Sequence, residues 1–428
     1  MNLNLYGHNG HWLMVDCGVS FNEPLNHHDE GPTFDMVAPD PTFIASQSNR
    51  LTGLVITHAH EDHVGAVPFL WQRFRCPVYA TAFTAAVLRR KLAEVNMLGK
   101  IPLYEIDPGS LTQLGPFTVK WLQITHSIPE PFALQICTQV GDVLHTADWK
   151  IDSQPISGAP FKHRLYQQLG EQDVLALVGD STNALKPGMS VSERTCYDGL
   201  LATIKPLKGR VVVGCFASNI ARLISLARVA KQTNRYMGVL GRSLLNMVGI
   251  AKQLGYWPEE LELVDATHLG YLPPEEVLLV ATGSQGENRA ALARLARDDH
   301  RALSLEKGDH VIFSSIVIPG NEAGVLRLLK GFHAMGVNTL LSEESPLPIH
   351  ASGHPCEEEL KLMYHWVKPQ IAIPVHGEPA HLDAHCQIAK SSGVRKTYSG
   401  RNGDLYKLAP QSGIHRKKVR VGRIAIER

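Results

Sequence analysis

The stretch VITHAHEDHVGAVPF, residues 55–69, sets His58, His60, Asp62 and His63 within six positions, directly after an apolar run. The helix-like apolar spacing of VGAVPFLWQRF that follows places these side chains on a strand-to-helix connection. His58 and His60, at i and i+2, can converge on one cation, while Asp62 and His63 in a first helical turn point toward a second. Imidazole and carboxylate donors without thiolate suit Zn²⁺, with Mn²⁺ also compatible.

Four donors on one loop cannot close two sites, so later strand ends must supply the remainder. LQITHSIP places His126 just after a strand, VLHTADWK does the same for Asp148, and IPVHGE for His376. The expected arrangement is His58, His60 and His126 around one ion, Asp62, His63 and His376 around the other, and Asp148 as the bridge. Asp16, ending LMVDCG, reads as a carboxylate that orients a ligand imidazole. Two divalent ions carry four positive charges, and Asp62, Asp148 and a shared hydroxide remove three. The resulting pocket suits an anionic substrate such as a phosphate. Two ions about 3.5–4 Å apart activate a shared water and stabilise both oxygens of an in-line displacement.

Outward from this loop, the first 180 residues alternate strand-like runs with turns. They begin with a hairpin about Asn9-Gly10 and continue through Leu54–Thr57, Pro77–Ala80, Thr118–Thr125, Ala133–Val140, Asp142–Thr146 and Val174–Val178. TAAVLRRKLAEV (Thr84–Val95) is the clearest helix. From about Arg210 four strand-then-helix units argue for a parallel sheet covered by helices, and QIAIPVHGE adds a further apolar strand. The expected division is 1–190 and 347–428 as two parts of one domain, with 191–346 inserted between them.

At 428 residues, 44% hydrophobic, the chain can bury a large core. No apolar run approaches the ~20 residues of a membrane span, so no membrane partner is expected and a cytoplasmic location is. Seven scattered cysteines without CxxC spacing read as buried thiols. Lys plus Arg (42) balance Asp plus Glu (41), so a polyanionic partner must be held by a local patch. The one basic cluster is the tail HRKKVRVGRIAIER, where alternation from Val419 to Ile426 suggests a strand. Its cations have two readings, protection of a sheet edge or nucleic-acid contact.

THAHEDH, His126, Asp148 and His376 match the metallo-β-lactamase superfamily pattern. GDSTN (179–183), CFASNIAR (215–222), TGSQGE (282–287) and HASGH (350–354) resemble the β-CASP nucleases, most closely bacterial ribonuclease J. The resemblance runs along nearly the whole chain. It implies an α/β architecture: a four-layer αββα metallo-β-lactamase fold with an inserted α/β β-CASP domain, and nucleic acid in the cleft between them. It also implies that Asp180, His354 and His376 fall on three β-CASP motifs, with His354 the general acid on the leaving 3′ oxygen and Asp180 its orienting partner. Asp62, Asp148, Asp180 and His354 then form the catalytic set. A substrate phosphate is expected at Ser218, Asn219, Ser284, His350, Ser352, Gly353 and His354, with helix capping the alternative at Ser218 and Ser284. Relatives usually carry an earlier strand with a Gly-rich turn and a C-terminal domain linked to assembly, so the chain reads as a short or truncated form and a homodimer is left open. Residues 22–32 read as a long loop in which His27 and His28 are exposed.

The activity implied is two-metal hydrolysis of single-stranded RNA, 5′-monophosphorylated RNA included, to 5′-phosphate and 3′-hydroxyl ends, by 5′→3′ exonuclease and endonuclease cuts. The alternatives are a lactonase- or thioesterase-like hydrolase, a β-CASP DNA nuclease, and an RNA-binding scaffold with structural metals.

Overall fold

The structure is a computed structural model that describes residues 1–23, 25 and 34–427. His27 and His28 lie outside the described residues. Two sheets face one another. One has five strands in the order Asn4–His8, His11–Val15, Leu51–Val55, Val78–Ala80, Leu103–Glu105. The other has seven, in the order Lys396–Thr397, Ile371–Val375, Ala176–Asp180, Gly141–His145, Phe132–Thr138, Phe117–Gln123, Leu111–Leu114.

Period-two alternation decides which face of each strand is buried where. Leu13, Val15, Leu134, Ile136, Ala176, Val178, Ile371 and Ile373 point between the sheets, where Trp121 and Phe132 fill the centre. Their neighbours face outward. Met14 and Leu54 pack under the helices Val67–Phe74 and Ala82–Glu94. Leu144, Leu177 and Ala372 pack under His163–Leu169, Glu357–Val367 and Pro379–Ser391. The result is the four-layer αββα sandwich.

The segment from Val211 to Leu340 forms a separate five-stranded sheet, ordered Tyr236–Leu240, Val277–Ala281, Val211–Gly214, His310–Phe313, Asn338–Leu340, and every pair is parallel. Its three inner strands are buried on both faces, which is why they read as unbroken apolar runs, whereas the edge strand Asn338–Leu340 is not buried. No helix among the described residues is long and apolar enough to cross a membrane.

Several expected boundaries move. The strand expected at Leu54–Thr57 is Leu51–Val55, because Thr57 turns its N–H to Asp16. The helix after His63 breaks into Glu61–Val64 and Val67–Phe74. ENRAALARLAR contracts to Ala291–Leu295. Of the strand expected from Val419 to Ile426, Arg423–Ala425 forms, paired antiparallel with Phe34–Pro39.

Gly18 shows how tightly the metal-loop region is built. A Cβ there would lie 1.7 Å from the Asp62 carbonyl oxygen. Gly18→Ala is therefore expected to destabilise the protein by about 3 kcal/mol or more, since overpacking costs 1–3 kcal/mol even where side chains can yield. Chemical denaturation checks this, and an unchanged midpoint would refute the close approach.

Candidate metal centre

The loop 56–60 is pinned by Asp16, a buried residue at φ 64. Its Oδ1 accepts the Thr57 N–H at 2.8 Å, and its Oδ2 accepts the Thr57 hydroxyl at 2.9 Å. The same Oδ2 lies 2.7 Å from His63 Nδ1. That contact places a proton on His63 Nδ1 and aims Nε2 inward. Asp16 thus holds the His63 ring from its Nδ1 side.

Three imidazoles converge in the first group. His58 Nε2 lies 3.1 Å, and His126 Nε2 3.0 Å, from His60 Nδ1. Proton bookkeeping shows what they can hold. His126 Nδ1 donates to the Gly353 carbonyl at 2.6 Å, so its Nε2 carries a lone pair. The Thr57 hydroxyl gives its hydrogen to Asp16, so it accepts from His58 Nδ1 at 3.0 Å, and His58 Nε2 is also a lone pair. Nitrogens facing one another with at most one proton among them are a donor set for a cation. Their spacing is close to the ~3.3 Å between ligand atoms of a tetrahedral zinc ion. Asp148 Oδ2 lies 3.9 Å from His58 Nε2 and 3.8 Å from His126 Nε2. Burial first, then mutual repulsion, keeps His58 and His126 well below the usual imidazole range. His60 falls to about 4, chiefly through burial. Neutral rings are what coordination requires.

The second group shares Asp148. His63 Nε2 is 3.2 Å from Asp148 Oδ2 and 3.4 Å from Asp62 Oδ2. His376 reaches Asp62 Oδ2 through Nε2 and Asp148 Oδ1 through Nδ1, each at 3.1 Å. Here burial opposes protonation of His63 and His376, yet the surrounding carboxylates, Asp148 foremost, outweigh it and raise both. Burial likewise works to raise Asp62 and Asp148, and the histidines around them win and hold both well below the usual range. The pocket therefore gathers negative charge that a cation would neutralise. Ala147 and His376 both take left-handed backbone, φ 53 and φ 56, at the strand ends that carry Asp148 and His376. Such non-glycine conformations need surrounding structure to hold them.

Beside these groups His354 Nδ1 lies 2.7 Å from Asp180 Oδ2. Asp180 Oδ1 accepts the Thr182 N–H at 2.9 Å and its hydroxyl at 2.7 Å. Burial would lower His354, and Asp180 raises it above the ordinary imidazole value. His354 Nδ1 is 3.9 Å from Asp148 Oδ2, so this pair borders both groups.

The expected phosphate residues divide. Ser352, Gly353 and His354 share one turn at the centre, where Ser352 Oγ accepts from Asn183 at 2.8 Å. Gly353 has a task of its own, since its carbonyl orients His126 and a Cβ would lie 2.5 Å from that ring. Asn219 is committed elsewhere: its Oδ1 caps the helix Ile220–Gln232 and its amide donates to Glu193. Ser218, beside it, is part-exposed. Ser284 is buried in a turn against Gly214 and stands seven residues before the nearest helix, so it caps none. His350 brings no positive charge. Its Nδ1 donates to the Ser314 carbonyl at 3.2 Å, and burial with the neighbouring Arg222 pushes its pKa down to about 3.

Sequence reasoning gave no role to Thr57, Thr182 or Asn2. The Asn2 amide lies 3.0 Å from His63 Nε2 and 3.3 Å from Asp62 Oδ2. The two threonines stand inside quoted motifs, directly before His58 and in GDSTN, and that adjacency was the available signal.

Asp16→Asn removes the acceptor that fixes His63. It is expected to weaken divalent-metal binding about 10–100-fold while the circular dichroism spectrum is retained, as measured by competition against a fluorescent chelator. Unchanged affinity would refute the orienting role.

Comparison with known proteins identifies the family. Family models match over three segments: the metallo-beta-lactamase superfamily at residues 2–169, the ribonuclease J beta-CASP domain at 208–332, and the Zn-dependent metallo-hydrolase RNA specificity domain at 348–398. The chain is 44% identical to ribonuclease J of Sinorhizobium meliloti, over 96% of this chain and 72% of that one. It is 38% identical to ribonuclease J of Mycolicibacterium smegmatis, over 92% and 69%. It is 37% identical to ribonuclease J 1 of Streptococcus pyogenes, over 94% and 70%. A crystal structure of a protein of unknown function from Enterococcus faecalis shares the fold, with a TM-score of 0.63 at 14% identity over 93% of this chain and 94% of that one. With its metallo-β-lactamase sandwich, its parallel insert and these relatives, the chain belongs to the ribonuclease J family of β-CASP metallo-hydrolases.

Proposed function

We propose that the protein is a metal-dependent ribonuclease that hydrolyses single-stranded RNA to 5′-phosphate and 3′-hydroxyl products. The observation that carries this reading is the sharing of Asp148 by two His/Asp groups, with the His354–Asp180 pair beside them. His58, His60 and His126 would hold one divalent ion and Asp62, His63 and His376 the other, with Asp148 common to both. When bound, such a pair supplies Lewis acidity to phosphoryl oxygens and lowers the pKa of water toward neutrality. Zinc suits the nitrogen-rich first group best.

The chain's own residues do the rest. His354, held by Asp180 through Nδ1, keeps Nε2 free to deliver a proton to the leaving 3′ oxygen. Asp16 and the Gly353 carbonyl fix the faces that His63 and His126 present. Ser352 and the turn around it hold the scissile phosphate against the centre through hydroxyl and backbone N–H groups. 5′→3′ exonuclease cutting of 5′-monophosphorylated RNA and internal cutting are both within reach of this chemistry.

Purified protein supplied with Zn²⁺ or Mn²⁺ is expected to cleave a 5′-labelled single-stranded RNA, and a matched DNA strand at least tenfold more slowly, because only RNA offers a 2′-hydroxyl. A chelator should abolish the activity, as should His58→Ala or Asp148→Ala. Turnover of a lactone or ester with intact RNA would overturn the reading. His354→Ala is expected to retain metal and RNA affinity while kcat falls roughly 10²–10⁴-fold. A loss confined to KM would remove it as the acid.

A further inference from the structure

The last 34 residues hold ten Lys and Arg against two carboxylates, whereas the 394 before them hold 32 against 39. The overall balance thus conceals a segregated charge. Arg401, Lys407, Lys417, Lys418 and Arg420 are all exposed. Among the described residues, the ion pair formed by this cluster is that of Arg416 with Asp404, at 2.7 Å.

Asp404 gathers the cluster. Its side chain is only 3% exposed. It accepts the Arg401 N–H at 2.9 Å, the Lys417 N–H at 2.7 Å and the Arg416 guanidinium. Val419 N–H donates to the Gly403 carbonyl, also at 2.9 Å. Two turns, 401–404 and 416–419, are tied together, and their cations are brought side by side.

Edge protection accounts for Lys407, on the strand Leu405–Lys407, but not for Arg401 or for residues 416–420. Cations that blunt an edge sit on the strand they protect, but the strands Gly413–His415 and Arg423–Ala425 leave residues 416–420 in the turn between them. The position of the lobe points elsewhere. Lys396–Thr397 runs parallel to Ile371–Val375, with Thr397 opposite Ala372. The chain therefore leaves that edge toward the end of the sheet at which His376 follows the neighbouring strand. The lobe's tyrosines are engaged: Tyr398 Oη bonds Ser412 at 3.0 Å, and Tyr398 and Tyr406 pack on the core between the sheets. What remains for a partner is charge without a stacking platform.

We propose that this lobe is a second RNA-contacting surface that holds backbone phosphates outside the cleft without regard to sequence. The identity of the polyanion rests on the ribonuclease reading above. The test is the variant R401Q/K417Q/K418Q/R420Q, with binding of an RNA of about 30 nucleotides measured on chelator-treated protein so that no cleavage intervenes. The slope of log affinity against log salt is expected to become shallower by about 2–3, at ~0.7 per lost single-strand phosphate contact. Cleavage by metal-loaded protein of an RNA about five nucleotides long, which ends within the cleft, should stay within about twofold.

An unchanged slope overturns the proposal, as does an equal loss on the short RNA. An unchanged RNA slope with variant-sensitive binding to anionic lipid vesicles would reassign the lobe to a membrane surface. If wild-type protein leaves RNA uncut yet the slopes differ as stated, the lobe stands and the ribonuclease reading falls. Cleavage with identical slopes gives the reverse.

Discussion

The buried carboxylate of Asp148 is the constraint on which the site depends. Desolvating an ionised carboxylate costs several kcal/mol unless opposing groups surround it. Here His58, His63, His126 and His376 all approach it within 4 Å. Those histidines and Asp148 itself arrive from four separate strand ends, His58 and His63 sharing one. The opposing sheets must therefore hold their register for the carboxylate to stay ionised, and the alternating core between them is what holds it. A slip of one residue on any of those strands would exchange the buried face for the outer one.

Backbone strain sits in the same places. Asp16, Ala147 and His376 all adopt left-handed conformations without being glycine. Each follows a strand whose inward face is committed to the core, so the chain must turn sharply to aim a polar group at the centre. Outside the centre, buried charges span the boundary between sandwich and insert. Arg222 binds Glu193 and the carbonyls of Ser314 and Ile349. Asp152 accepts the Glu193 N–H and pairs with Lys150, two residues past Asp148. Full burial makes these groups costly to leave unpaired, so the network favours one geometry between the parallel sheet and the HASGH turn.

That geometry bears on what the cleft can recognise. Under the proposed function, anion binding at the turn would fall to Ser352 and backbone groups, because Asn219 is spent on a helix cap and His350 is neutral beside Arg222. Positive charge is concentrated instead in the C-terminal lobe, where the residues are solvated and carry no desolvation penalty. On these two proposals, chemistry at the largely buried His/Asp centre is separated from electrostatic capture on an exposed surface.

The candidate ligand set was legible because metal-ligand types at strand ends are an unusual pattern, and because the strands themselves are marked by alternation or by unbroken apolar runs. Residues 58–63 announced one loop, and His126, Asp148 and His376 each stood just after an apolar run. Boundaries such as Val55, and the break at Gly65–Ala66, were not legible, because hydrogen bonds to Asp16 and close backbone approach at Gly18 override local pattern. The sequence by itself marked most of the central strands and the side chains that could coordinate, but not the strands Ser20–Glu23, Phe34–Pro39, Leu103–Glu105 and Leu111–Leu114. Only the tertiary structure decided that the Asn219 amide is spent on Glu193, that Gly353 aims His126 and that Asp404 gathers the basic tail, since each is a contact between segments whose separation in the chain carries no periodic signal.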